Sequence, residues 1–165
     1  MKRNVFLLVS AVILLAGCNT DVWQMAGEYS YKISGRVEIT SEDDDVVRSL
    51  PDEMGVLRIL QVDNKSDEVM LTMNQLGGSV FTTSGTIAEK KIEIEEFERT
   101  VKVAPVALEK EFTVTVNGYG ERYGNTIVFY LAYEGETEDG EYQLSGEGIQ
   151  MVADRNGERQ LTINN

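Results

Sequence analysis

Asn117-Gly-Tyr119-Gly-Glu-Arg-Tyr123-Gly-Asn125 sets two tyrosines among three glycines. A flat aromatic face with a hydrogen-bonding tip, carried on compliant backbone, is what a site for a sugar or an amphipathic lipid uses. The segment that follows places Ile127, Phe129, Leu131 and Tyr133 on one face of a strand. Tyr119, Tyr123, Phe129, Leu131 and Tyr133 therefore form the candidate ligand-binding set, with the tyrosine loop expected at the open end of the fold. The same loop also reads as a glycine-rich hairpin whose tyrosines merely cover that end. Val128, Tyr130 and Ala132 make the other face of this strand apolar too, which asks for a loop, a second subunit or a partner to cover it.

Catalysis is harder to build from this composition. The chain has no histidine and a single cysteine, so cysteine–histidine dyads, serine–histidine triads and the usual zinc sites are all missing. Carboxylate, serine–lysine or tyrosine chemistry is what remains. A carboxylate pair acting on a glycoside is the surviving enzyme hypothesis, yet no pair stands out among 28 acidic residues. The expectation is a non-enzymatic protein with no cofactor. Glu42-Asp-Asp-Asp45 and the acids of Glu134 to Glu141 could offer oxygens to calcium, but neither run has the spaced acidic pattern with its glycine and distant glutamate, and Asp63 to Glu68 lacks the glycine as well. They read as solvated loops, and no metal site is expected.

The elements that must position these residues alternate in twos. Phe112-Thr-Val114-Thr-Val116, Ile92-Glu-Ile94-Glu and the 127–133 segment each place apolar residues on every second position. This spacing predicts strands near 28–40, 55–63, 68–75, 79–88, 90–97, 98–104, 109–117, 125–134, 141–153 and 158–164. Asn117-Gly118, Asp139-Gly140 and Asn156-Gly157 suit two-residue hairpin turns, and Gly77-Gly78 and Asp63 to Asp67 mark further reversals. One segment departs: Ser41 as a cap, acids behind it and Pro51 as a stop allow a short helix over 42–49, the alternative being a long acidic loop acting as a lid. The fold class is all-β, an antiparallel up-and-down meander. Eight or more strands would close into a barrel, which removes exposed edges.

The N-terminus has a different logic. Lys2 and Arg3 precede an apolar run, Val5 to Ala16, broken only by Ser10 and followed by Gly17 and Cys18. That is the layout of a secretory signal, with a run too short to span ~30 Å of hydrocarbon. Leu15-Ala16-Gly17-Cys18 resembles the lipobox of bacterial lipoproteins. The resemblance implies removal of residues 1–17, diacylglycerol on the Cys18 thiol, and residues 18–22 as a lipidated tether before a single domain, 23–165. Two acyl chains would give stable attachment to the membrane. The chain carries 15 basic and 28 acidic residues, net −13; loss of Lys2 and Arg3 leaves 13 basic residues and −15. Nucleic acid would be repelled, and a basic protein attracted.

Gly27-Glu28-Tyr29-Ser30 is similar to the Gly-X-Trp signature that opens the first strand of lipocalins, with tyrosine in place of tryptophan. Together with the meander and the lipobox, it resembles the calycin-like or lipocalin-like barrel lipoproteins of the Bacteroidetes. The resemblance implies an eight-stranded barrel in the cell envelope, anchored to the outer membrane and holding a small apolar or amphipathic ligand. It also implies a late arginine packed across Tyr29, for which Arg155 and Arg159 are the candidates. Two other roles stay open beside ligand binding: an acidic inhibitor of a basic protein partner, and a structural subunit of an outer-membrane assembly.

Overall fold

A computed structural model describes residues 20–63, 67–105 and 107–157. Cys18, Arg159 and the expected strand 158–164 lie outside the described residues. The described chain forms one short helix, α1 (Thr20–Met25), and ten strands: β1 (Gly27–Ser34), β2 (Arg36–Thr40), β3 (Asp45–Ser49), β4 (Glu53–Gln61), β5 (Glu68–Gln75), β6 (Val80–Ala88), β7 (Lys91–Val103), β8 (Lys110–Tyr123), β9 (Thr126–Thr137) and β10 (Gln143–Arg155).

Eight of these strands make a closed antiparallel barrel. β1 pairs with β4, neighbours follow in sequence order from β4 to β10, and β10 returns to β1 with Tyr29 opposite Arg155 and Ser34 opposite Gln150. Closure leaves none of these eight strands with a full free edge. The remaining two, β2 and β3, form a hairpin that takes up the first part of β10, Gln143 to Ser145, beyond the stretch that pairs with β1.

Period-two patterning produces this arrangement directly, because every second side chain of each strand enters the interior. Tyr29, Tyr31 and Ile33 of β1, Leu57 and Ile59 of β4, Phe112, Val114 and Val116 of β8, and Ile127, Phe129, Leu131 and Tyr133 of β9 are all buried there. The middle of the barrel is packed with side chains. Gly120 shows how tightly: a Cβ at that position would come within 2.6 Å of the Phe129 ring, so only glycine lets the ring lie against β8.

The structure corrects four local expectations. The segment 42–49 is not helical; residues 41–44 turn and β3 follows as a strand. Ser41 does cap, accepting from the Asp44 amide at 3.2 Å, but Val46 and Val47 are β-branched and pair with β2 instead of continuing a helix. The expected strands 90–97 and 98–104 are one strand, β7, carrying a bulge between Ile94 and Phe97. Glu95-Glu96 interrupts the alternation without ending the strand, which is what an inserted residue does. The expected strand 28–40 divides at Gly35, where a Cβ would lie 2.9 Å from Ile149. Finally, Asn117-Gly118 is not a turn. β8 runs through it to Tyr123, Gly118 pairs with Leu131, and the chain reverses at Gly124-Asn125, with Gly124 at φ 65°.

The candidate functional site at the open end

The two ends of the barrel are built differently. At the end where β1 begins, α1 lies across the opening with Val22 and Met25 buried beneath it. The Tyr29 hydroxyl donates to the Met25 carbonyl at 2.7 Å. Of the two late arginines, Arg155 lies across Tyr29, 5.3 Å from its ring centroid, and its Nη2 donates to the carbonyls of Gln24 at 2.6 Å and Ala26 at 2.9 Å. Arg122 reaches the Gln24 side chain from β8. This end is plugged.

At the opposite end the interior opens into a cleft of about 520 Å³, whose walls include Ile33, Leu50, Glu53, Arg99, Val101 and Tyr133. Arg99 is one of the residues that line it. After the bulge in β7, Phe97, Arg99, Val101 and Val103 share the inward face, so the register carries a guanidinium into an apolar row. Glu53 enters from the first position of β4, in line with the inward Leu57 and Ile59. Arg99 and Glu53 form an ion pair with side chains only 2% and 12% exposed.

Every other partner of this pair is aromatic. The Tyr31 hydroxyl donates to Glu53 Oε1 at 3.0 Å, and Arg99 Nη1 donates to the Tyr133 hydroxyl at 3.3 Å. The guanidinium stacks 4.5 Å from the centroid of Phe81. Gly55 makes the Tyr31 placement feasible, since a Cβ there would lie 2.8 Å from the ring. Burial, and next the Glu53 charge, push the Tyr31 hydroxyl well above the ordinary tyrosine value. Burial does the same to Tyr133, against the opposing pull of Arg99. For Arg99, burial works against the charge, but Tyr133, Glu53 and Tyr31 outweigh it and hold the group protonated. One donor is left over: among the described residues, Arg99 Nε is the only buried side-chain nitrogen or oxygen without a hydrogen-bond partner. Such a group carries a penalty of ~1–3 kcal/mol.

The sequence-predicted site residues separate into two groups. Phe129, Leu131 and Tyr133 point inward as expected, but Phe129 is fully buried in the packed middle, and only Tyr133 reaches the cleft. Tyr119 and Tyr123 are not in a mouth loop. They belong to β8, on its outer face and near the plugged end, where Tyr119 meets Tyr130 at 5.3 Å between ring centroids and Tyr123 donates to Glu121 at 2.6 Å. The Tyr119–Tyr130 contact, with Lys91 4.2 Å above Tyr119, covers Tyr130 on the outward face of β9. Arg99 and Glu53 were missed. Their signal is a charged residue standing on the apolar register of an alternating strand. Among the described residues, no three carboxylates gather where a metal ion could be held.

No family model matches the chain, and no curated protein matches it. Among solved structures it is similar to a redesigned β-barrel, at 12% identity and a TM-score of 0.37, over 83% of this chain and 96% of that one.

Proposed function

We propose that this protein is a lipid-anchored binding module of the bacterial cell envelope that holds one small amphipathic molecule in the cleft around Arg99. The observation that carries the reading is the cleft itself, a concave space of about 520 Å³ with a buried, incompletely satisfied guanidinium beside the apolar Ile33, Leu50 and Val101. An acceptor oxygen on a ligand would complement the polar wall, and its apolar part would lie against the aliphatic one. Glu53 has both oxygens engaged, by Arg99 and by Tyr31, which favours binding over acid–base catalysis. Anchoring through acylated Cys18 is supported by the lipobox, and the lipocalin-like reading by Arg155 lying across Tyr29. A solid middle confines the ligand to the mouth, in place of a deep central cavity.

The test is a titration with a dansylated medium-chain fatty acid. Saturable binding with a blue-shifted emission is expected for the wild type. Ser79→Trp, at the rim of the cleft, should weaken it at least several-fold, while Tyr119→Ala/Tyr123→Ala should not. Absence of saturable binding, or equal binding by Ser79→Trp, would remove the carrier role. A second reading, an acidic surface for a basic protein, draws on the Glu42–Asp45 turn and the 138–142 loop, which together border a second cleft at this end. That reading is the one a failed titration would favour.

A further inference from the structure

We propose that the plugged end of the barrel rests on the membrane, with Trp23 among the lipid head groups and the Arg99 mouth turned away from the bilayer. This rests on the reading of Cys18 as the lipid attachment point. Only Asn19 lies between Cys18 and Thr20, the first residue of α1, and two residue steps of chain can span no more than ~7 Å. The acyl chains must therefore enter the bilayer next to the plugged end, whatever path the tether takes.

The surface at that end suits such contact. Val22 and Met25 bury the inner face of α1, leaving Trp23, the chain's only tryptophan, 70% exposed on its outer face. Val62, at the turn after β4, and Tyr123, beside the β8–β9 turn, are exposed at the same end. Tryptophan and tyrosine are the side chains that prefer the head-group region, having an apolar body and a polar tip. Exposed aliphatic residues also occur at the mouth, Leu76 and Leu108 among them, so apolar exposure alone does not choose the orientation.

Charge does choose. The acidic turn 42–45 and the acidic stretch 134–141 both lie toward the mouth, where Thr40 pairs with Asp45 and with Gln143, and Gln143 pairs with Glu136. At the plugged end Arg58, Lys90, Lys91, Arg122 and Arg155 stand with eight acids, Asp21, Glu28, Asp63, Asp67, Glu68, Glu89, Glu121 and Asp154, a smaller acidic excess than at the mouth. An anionic leaflet therefore repels the mouth more than the plugged end, and the molecule is oriented with its ligand site toward the aqueous phase.

The single tryptophan makes the test direct. The full chain, recovered from a lipoprotein-processing bacterium, is reconstituted in phosphatidylcholine vesicles with and without brominated acyl chains, and Cys18 acylation is read by mass spectrometry. Trp23 emission should shift to the blue, be strongly quenched by the brominated lipid, and become several-fold less sensitive to acrylamide than in detergent-free Cys18→Ser protein. The variant Trp23→Phe/Leu76→Trp should show none of these changes. Acylated protein whose Trp23 stays as open to acrylamide as in the free form would overturn the proposal while leaving the anchor intact. If Cys18 carries no acyl group, the anchor reading fails. Coupling that unique thiol to a maleimide phospholipid in the same vesicles then lets the same two quenchers decide, quenching by brominated lipid supporting the face and unchanged acrylamide access refuting it.

Discussion

Separating Arg99 from Glu53 should expose the largest single polar contribution in the described barrel, and by unequal amounts on the two sides. Breaking a buried pair typically costs ~3–5 kcal/mol, because the surviving charge is stranded away from water. Here the survivors differ, with Arg99 at 2% exposure and Glu53 at 12%. Glu53→Gln strands the more deeply buried charge and should fall near the upper end of that range. Arg99→Met leaves a carboxylate at the edge of the cleft, still bonded by Tyr31 and able to gain water, and should cost ~2–3 kcal/mol. Arg99→Met/Glu53→Leu removes both charges and should recover most of the loss, with a coupling energy of ~2 kcal/mol or more. The exposed pair Lys32–Asp52, 2.8 Å apart near the same end with side chains 50% and 59% exposed, is the control. Asp52→Asn should move stability by less than ~0.5 kcal/mol. Urea unfolding followed by circular dichroism measures all four, with a constant slope required for the comparison. Single variants each costing under ~1 kcal/mol, or a double variant as unstable as the sum of the singles, would mean that the pair is not the closed electrostatic unit described.

Phe129→Ala should destabilise by ~3–5 kcal/mol in the same assay, since the ring fills the packed middle; a loss under ~1.5 kcal/mol would indicate a cavity there. Gly55→Ala should be destabilising and should shift the near-ultraviolet signal of the tyrosines, as its Cβ would meet both the Asn74 carbonyl at 2.1 Å and the Tyr31 ring at 2.8 Å; an unchanged spectrum and midpoint would contradict that contact. Alkaline pH should unfold the protein. Tyr31 and Tyr133 have pKa values raised by folding, so above ~10, where unfolded tyrosines lose their protons, the native state holds more protons and stability falls as pH rises. The loss should be present from pH ~10 upward and smaller in Tyr133→Phe; a midpoint flat from pH 8 to 11 would refute it. Labelled fatty acid should enter the wild type and not Cys18→Ser, and equal labelling would end the lipoprotein reading.

The barrel was legible because the inward rows of strands such as β1, β8 and β9 are written as alternation, and because Gly77-Gly78 and Asp139-Gly140 sit where the chain does reverse. What alternation cannot show is a residue inserted into it. Glu95-Glu96 looks like the end of one strand and the start of another, while the bulge carries β7 straight on. Gly118 misleads for a related reason. A glycine beside asparagine suggests a turn, but this one is required where a Cβ would stand 2.2 Å from the Tyr130 carbonyl of the neighbouring strand. That misplaced turn put Tyr119 and Tyr123 in a mouth loop, whereas they lie on β8 toward the end that α1 covers. The true mouth was obscured by composition: one arginine and one glutamate among 43 charged residues become distinctive only when their register places them inside, and that register depends on the same bulge.

Barrel closure also sets an order of events. Residues of β1 meet their β10 partners across more than 110 positions of chain, Ser34 with Gln150 and Tyr29 with Arg155. The β2–β3 hairpin, too, finds its strand partner in the barrel only in β10. Neighbouring hairpins from β4 to β9 can form as the chain is made, but the ring cannot be sealed until the last described strand has emerged. Until then β1 and β9 both present open edges. The barrel thus stays unsealed until β10 has been made, and its folding should show one slow, concerted closing step whose rate responds to substitutions in β10 more than to those in any earlier strand.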